Sequence, residues 1–111
     1  MMPDKIEQLE QALALTGYEF AHHGWSRAPG TEYGTWSEES ADDLLGNGRH
    51  IERATVVTID LFTRDASRTP RQKVEEQLEA LGCPWRLDSI NYESDTGLIH
   101  LYWRVSLYGQ Y

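Results

Sequence analysis

The sequence predicts a single α+β domain, in which an antiparallel sheet carries two helices on one face in the order α-β-β-β-α-β-β. Two amphipathic segments with helical spacing alternate with five stretches rich in β-branched and aromatic residues. Both helical segments are short and apolar on one side only, so the economical packing is a two-layer sandwich. A chain of 111 residues has the size of one domain, which is expected to span residues 1–111.

The N-terminal part of the chain predicts one helix and one strand. The helix covers residues 4–16 and ends at Gly17, since glycine accepts the left-handed conformation that closes a helix. Its buried face is formed by apolar residues spaced three and four apart, namely Ile6, Leu9 and Leu13. The segment YEFAHHGWS then predicts a strand over residues 18–23, and RAPG supplies turn residues that lead into a second strand.

The next two strands are predicted from alternating side chains. TEYGTWSEE forms the second strand, with Trp36 on one side and Tyr33 and Thr35 on the other. A third strand is expected over residues 50–64, and both of its faces are partly apolar, which is typical of a central position in a sheet. Between these strands, SADDLLGNGRH is expected to form a connection with a single helical turn.

The C-terminal half predicts a helix followed by a hairpin. Thr69 is the expected N-cap, Pro70 suits the first helical position and Gly82 ends the helix. Its buried stripe consists of Val74, Leu78 and Leu81. The strands WRLDSINYE and LIHLYWRVSLY are joined by SDTG, where Gly97 can take a positive φ.

The last strand, residues 98–108, is long for so small a domain. At about 3.3 Å per residue it spans roughly 36 Å, whereas a compact domain of this size has a diameter of about 34 Å. It is therefore expected to cross the whole body or to project beyond it. One row of its side chains is apolar and belongs under the helices: Ile99, Leu101, Trp103, Val105 and Leu107. The opposite row either stays half-exposed or is covered by another copy or a partner: Leu98, His100, Tyr102, Arg104, Ser106 and Tyr108.

The composition limits the classes of function that fit the chain. Ten basic against 18 acidic side chains give a formal net charge of -8, which opposes binding to a phosphate backbone, so direct nucleic-acid binding is not expected. The single cysteine, Cys83, forbids an internal disulfide and suits a reducing compartment such as a cytoplasm. No apolar run approaches membrane-spanning length and the first residues are too polar for a signal peptide, so no membrane partner is expected.

No residue cluster in the sequence predicts catalysis, a cofactor or a metal ion. His22 and His23 are adjacent, so on an extended strand they point to opposite faces and are not expected to bind one metal together. The carboxylates around Leu44 and Leu45 lack the spacing of a calcium loop and are interpreted as a solvated acidic segment. Cys83 follows a helix end, where the dipole disfavours a thiolate, so it is interpreted as structural.

Several segments give the chain a resemblance to a known family: YGTWSEES, then TVVTIDLFTRD, then an amphipathic helix, then WRLDSINYESDTGLIHLYWRVSLYG. From about Ile6 to Gly109 the chain resembles the small tail-completion proteins of long-tailed bacteriophages and prophages, a group similar to the tail terminators. The resemblance implies an α+β protein without catalytic residues. Such a protein forms a hexameric ring that caps the tail tube, ends its polymerisation and presents a surface to the neck of the head.

The resemblance also implies partners and contacts. The expected partners are further copies of the chain, the tail-tube protein and the head-closure or neck protein, in a virion tail assembled in the bacterial cytoplasm. A ring requires heterologous contacts, in which one surface of a subunit meets a different surface of the next. The candidate interface residues are Trp36, Leu44, Leu45, Arg49, His100, Tyr102, Arg104, Tyr108 and Tyr111.

Three alternatives remain open at this point. Head-closure and connector proteins of the same particles are also small and ring-forming. A monomeric enzyme or ligand-binding domain would use the open face of the sheet as a pocket lined by His100, Tyr102 and Tyr108, and its stability would rise when the ligand or a metal is added. A regulatory module similar to an antitoxin would bind a basic partner through the acidic segment.

Overall fold

The computed structural model of the protein describes residues 5–23, 32–39 and 54–108. These residues form two helices and a five-stranded sheet in a compact α+β fold, and the order of elements follows the prediction. The elements are α1 (Lys5–Ala14), β1 (Phe20–His22), β2 (Tyr33–Glu38), β3 (Ala54–Thr63), α2 (Thr69–Leu81), β4 (Trp85–Glu93) and β5 (Leu98–Tyr108).

The sheet has the strand order β1-β2-β3-β5-β4, which puts β3 in the centre as predicted. The pairs β2–β3, β3–β5 and β4–β5 are antiparallel, whereas β1 and β2 run parallel, with Phe20 opposite Gly34 and His22 opposite Trp36. The prediction that the whole sheet is antiparallel is therefore wrong for its first pair. Turn-forming residues between two strands do not fix the direction of the second strand, and here the parallel register lets the Phe20 ring cover Gly34.

The hydrophobic core lies between the helices and one face of the sheet. It contains the apolar row of β5 as predicted, with Leu101, Trp103, Val105 and Leu107 at most 5% exposed and Ile99 half-buried. The helices contribute residues with the predicted spacing: Leu9, Leu13, Val74 and Leu78 are completely buried. Two indole N–H groups fasten α2 to the sheet, since Trp103 donates to Glu75 over 3.0 Å and Trp85 donates to Glu79 over 2.7 Å.

The ends of α2 show one difference from the prediction. Arg68 rather than Thr69 occupies the N-cap position, and no side chain caps the helix, although the Ser67 hydroxyl accepts a hydrogen bond from the Thr69 backbone. At the other end Gly82 adopts a φ of 80° and its backbone N–H donates to Glu79, as expected for a glycine that closes a helix. Among the described residues, neither helix is long and apolar enough to cross a bilayer.

The long strand β5 crosses the sheet and is paired along its whole length. Its residues from Ile99 to Tyr108 pair with β3 without interruption, and β4 flanks the other side. The Cα radius of gyration is 15.0 Å, larger than the roughly 13 Å of a spherical domain of this length. The two side-chain rows of β5 run along the two faces of the sheet.

Candidate interface surfaces

The face of the sheet opposite the helices carries a row of stacked aromatic rings. Tyr33 on β2, Phe62 on β3 and His100 on β5 occupy directly opposite positions on neighbouring strands. The ring centroids of Tyr33 and Phe62 are 4.7 Å apart and those of Phe62 and His100 are 4.3 Å apart, with nearly parallel planes. Tyr102 meets His100 edge to face at 6.3 Å. These four residues are called the aromatic row below.

The aromatic row is held in place by polar groups on the same face. His100 Nε2 lies 2.6 Å from a carboxylate oxygen of Asp60. Burial raises the pKa of Tyr33, and the negative charges of Glu93 and Asp60 raise it further, so this phenol stays neutral. Stacked aromatic pairs contribute about 0.5–1.5 kcal/mol each beyond the area they bury. Stacking and the hydrogen bond between Asp60 and His100 thus define the arrangement of the rings.

Both helices pack on the other face of the sheet, so neither helix covers the aromatic row. All four rings are half-buried. The sequence analysis predicted that this face is aromatic and without an obvious cover, and it placed His100 and Tyr102 there. It did not connect them with Tyr33 and Phe62, since only the register between strands brings these residues together.

Arg104 lies on the same face but already has an internal partner. Its guanidinium Nη2 is 2.7 Å from Glu39 Oε1, and both side chains are about one-third exposed. Beside it is a cleft of about 300 Å³, lined by Val56, Pro84, Trp85, Arg86, Arg104 and Ser106. Exposed ion pairs of this kind contribute at most about 1 kcal/mol to stability, so the pair can be exchanged for contacts with a partner.

Trp36 does not belong to an exposed surface. It is 2% exposed and packs in the core on the helix-bearing face, where the His22 ring stacks on it at 4.0 Å. Its side chain points to the helices because Trp36 pairs with Ile59, which lies on the core face of β3. The candidate interface role of Trp36 is corrected accordingly, and Trp36 is a core residue.

The side chains of the other five candidate interface residues are not described by the structure. Leu44, Leu45, Arg49 and Tyr111 lie outside the described residues, as does the predicted helical turn around the first two. Tyr108 forms the last position of β5 and pairs with Ala54 through its backbone, but its side chain is not described. For these residues the interface role stays a prediction from the sequence.

A second exposed apolar surface lies on β4, a strand at the edge of the sheet. Ile90 and Tyr92 are 51% and 68% exposed and sit opposite Leu101 and Ile99, which places them on the helix-bearing face. These two residues are called the edge patch. A register shift between Leu87 and Ser89 inverts the alternation of side chains along β4. Without it Ile90 and Tyr92 would face the other way, so sequence alternation alone does not locate the patch.

His22, His23 and Glu38 form a cluster that the sequence did not predict. His23 adopts a φ of 66°, so it leaves the extended conformation and its ring stacks on His22 with the centroids 3.9 Å apart. The expectation that the two imidazoles point to opposite faces is therefore wrong. Burial tends to raise the pKa of Glu38, but the hydrogen bond from His22 and the two histidine charges outweigh it and leave that pKa below its usual value.

The structure brings no nucleophile and base together at Cys83 within its described part. Cys83 is 8% exposed and belongs to the core cluster between helices and sheet. The bonded pair of His100 and Asp60 lies on the opposite face of the sheet. Cys83 accordingly fills core volume at the end of α2, as interpreted from the sequence.

Comparison with known proteins assigns the chain to no family. No protein-family model and no curated protein matches the chain with significant similarity. Function is therefore inferred from the aromatic row and the edge patch, the residues that build them and the resemblance of the sequence segments described above.

Proposed function

We propose that the protein is a non-enzymatic ring subunit that acts as a tail terminator of a bacteriophage or prophage. One observation carries the proposal: a single subunit presents two different apolar surfaces, the half-buried aromatic row and the exposed edge patch, on opposite faces of its sheet. The aromatic row lies on the open face, and the edge patch of Ile90 and Tyr92 lies on the helix-bearing face. A ring closes only through head-to-tail contacts between unlike surfaces, so two such surfaces are the minimum that a ring subunit needs.

In the proposed contact, the edge patch of one subunit packs on the aromatic row of the next. Stacked rings with few rotatable bonds lose little conformational entropy on binding, and aromatic residues are enriched at the centres of protein interfaces. The exposed side chains of Ile90 and Tyr92 supply matching apolar groups. The outer edge of β4 also presents backbone groups that can pair with a neighbouring chain.

The proposed ring caps the tail tube and joins it to the neck, so its partners are the tail-tube protein and the head-closure protein. The net charge of -8 suits a ring through which DNA passes, since acidic walls repel the phosphate backbone. The support for this step is the resemblance of the sequence segments together with the charge. Assembly in the bacterial cytoplasm and residence in the virion tail belong to the same proposal.

The geometry favours assembly over a ligand pocket on the open face. His100 is engaged by Asp60 and stacked on Phe62, and the cleft near Arg104 is lined by neither His100 nor Tyr102. A flat row of rings is better suited to a protein partner than to a small molecule, which needs a concave site. A head-closure protein would use the same kind of ring contacts, and binding to the tail tube separates that role from a terminator.

The first experiment is the absolute mass of the protein by light scattering, over a concentration series at two salt levels. We expect a hexamer, or a monomer that moves towards a hexamer as concentration rises. Tyr102→Thr removes a ring from the aromatic row, and the double variant Ile90→Lys with Tyr92→Lys removes the edge patch. Both are expected to remain monomeric and folded, because threonine suits a strand and the edge residues are exposed.

Mixing the two variants tests whether the contact is heterologous. The Tyr102→Thr subunit keeps its edge patch, and the edge variant keeps its aromatic row, so one intact contact can form between them. We expect a one-to-one heterodimer that grows no further. If each variant alone assembles like the wild type, these surfaces do not form the interface. Electron microscopy with tail-tube protein then distinguishes a terminator, which caps tube ends, from a head-closure protein, which does not.

A further inference from the structure

A second functional feature lies where β1 and β2 end. Because these two strands run parallel, their carboxyl ends lie side by side at the same end of the sheet. His22 is the last residue of β1, His23 follows it, and Glu38 is the last residue of β2. Glu38 lies two positions beyond Trp36, the register partner of His22, so its side chain is on the same face of the sheet as His22.

The three side chains converge on a small volume. His22 Nε2 is 2.6 Å from Glu38 Oε1, and His23 Nε2 is 3.9 Å from the same oxygen. One ligand atom from each residue can be chosen so that all lie within 4.8 Å of one another. In a tetrahedral site with metal–ligand bonds of about 2.0–2.1 Å, neighbouring ligand atoms are about 3.3 Å apart. The two measured distances bracket that value, and coordination of one ion by both imidazoles requires the His23 ring to turn out of its stack on His22, since each nitrogen donates in the plane of its ring.

The surroundings of the cluster favour a metal over a solvated ion pair. The indole of Trp36 supports the His22 ring at 4.0 Å with an angle of 13° between planes, which fixes the direction of its nitrogens. His23 holds a positive φ, a conformation that costs a non-glycine residue about 1–3 kcal/mol, and this conformation places the second imidazole beside Glu38. The side chains are 39%, 65% and 31% exposed for His22, His23 and Glu38, so an ion can reach them.

We propose that His22, His23 and Glu38 bind one divalent transition-metal ion of the zinc class. Two imidazole nitrogens and one carboxylate oxygen suit Zn²⁺, Co²⁺, Ni²⁺ or Cu²⁺, whereas Mg²⁺ and Ca²⁺ prefer oxygen ligands alone. With three protein ligands the ion keeps a fourth position for water. The site is separate from the aromatic row and the edge patch, so its existence does not depend on the proposed ring.

The test is calorimetric titration of the untagged, chelator-treated full chain with ZnCl₂. We expect one ion per chain, and a Co²⁺ complex whose visible absorption has the intensity of a four-coordinate site. His23→Gly is the sharpest variant, because glycine adopts the positive φ without strain and the fold is kept or stabilised while one ligand is lost. We expect its zinc affinity to fall more than about tenfold, since a metal ligand has been removed. Glu38→Gln is expected to weaken binding similarly.

His100→Ala is the matched control, because it removes a histidine that also bonds a carboxylate but lies on the other face. Its zinc affinity is expected to equal that of the wild type. Zinc should also raise the unfolding temperature of the wild type and of His100→Ala, but not of His23→Gly. Absence of zinc binding to the wild type overturns the proposal. So does His23→Gly binding zinc as tightly as the wild type.

Discussion

His100 Nε2 lies 2.6 Å from a carboxylate oxygen of Asp60, and the same imidazole stacks on Phe62 with 4.3 Å between ring centroids. The hydrogen bond joins β5 to β3 on the open face of the sheet. It fixes the plane of the ring at the centre of the aromatic row, between Phe62 and Tyr102. The orientation of the proposed contact surface therefore depends on a polar pair that does not itself face the core.

Loss of the Asp60 carboxylate should affect assembly more than folding. Asp60→Ala frees the His100 ring, and we expect self-association to weaken several-fold while the free energy of unfolding falls by about 1 kcal/mol, the net worth of one hydrogen bond. Light scattering and urea unfolding measure the two effects. Asp60→Asn keeps an acceptor and should lie between the wild type and the alanine variant. If Asp60→Ala instead lowers the free energy of unfolding as strongly as it weakens self-association, the pair of Asp60 and His100 is structural.

The bond between Trp103 and Glu75 should be important for stability. Trp103 is completely buried, and its indole N–H donates to a Glu75 oxygen that also accepts from Arg71 over 2.8 Å. Glu75→Leu leaves the buried N–H without an acceptor, and we expect a loss of about 1–3 kcal/mol in urea unfolding. Glu75→Gln keeps an acceptor oxygen and should cost less than half as much. A Glu75→Leu protein as stable as the wild type would show that another group satisfies the indole.

Gly34 is expected to tolerate no side chain while Phe20 is present. A Cβ atom at position 34 would lie 2.3 Å from the Phe20 ring, and overpacking of this kind costs about 1–3 kcal/mol. We expect Gly34→Ala to lose stability in urea unfolding and Gly34→Ala with Phe20→Ala to recover part of the difference. The double-mutant cycle should therefore give a favourable coupling. Additive losses would mean that the strain is relieved by a shift of β1 rather than by the ring.

Alkaline stability should depend on Tyr18. Burial raises the pKa of Tyr18, a hydrogen bond with Thr63 lowers it in part, and the charges of Glu32 and Asp65 raise it. The folded protein thus keeps the phenol proton to a higher pH than the unfolded chain, whose tyrosines ionise near pH 10. The contribution of Tyr18 is present below about pH 10 and declines as the pH rises through the raised folded pKa.

Urea unfolding at a series of pH values measures this effect. We expect the free energy of unfolding to fall less steeply above about pH 10 in Tyr18→Phe than in the wild type. Tyr92→Phe is the matched control, because it removes the hydroxyl group of a tyrosine that is 68% exposed. A slope in Tyr18→Phe identical to that of the wild type would show that Tyr18 titrates alike in both states.

Local chemistry in the sequence was sufficient for most of the fold. The hairpin of β4 and β5 has the predicted limits, because SDTG provides turn residues and Gly97 takes a φ of 75°. The helical stripes and the apolar row of β5 are buried as the periodicity of their residues indicates. Each of these features depends on residues close together in the chain, so the pattern alone carries the information.

The features that the sequence did not predict depend on a single backbone position or on pairing between distant strands. The left-handed conformation of His23 reverses the face of one side chain, and the register shift between Leu87 and Ser89 reverses the face of all that follow in β4. The parallel direction of β1 likewise depends on tertiary contacts between strands. Both the zinc site and the edge patch arise from such positions, because a period of two assumes an uninterrupted extended strand.

The aromatic row also has a consequence for the timing of assembly. Its rings come from β2, β3 and β5, and the bond that orients His100 joins positions 40 residues apart in the chain. Contacts so distant form late and slowly in folding. A nascent or half-folded chain therefore lacks the surface that the proposed ring contact requires. In the proposed ring, each subunit therefore completes its own fold before it joins its neighbours.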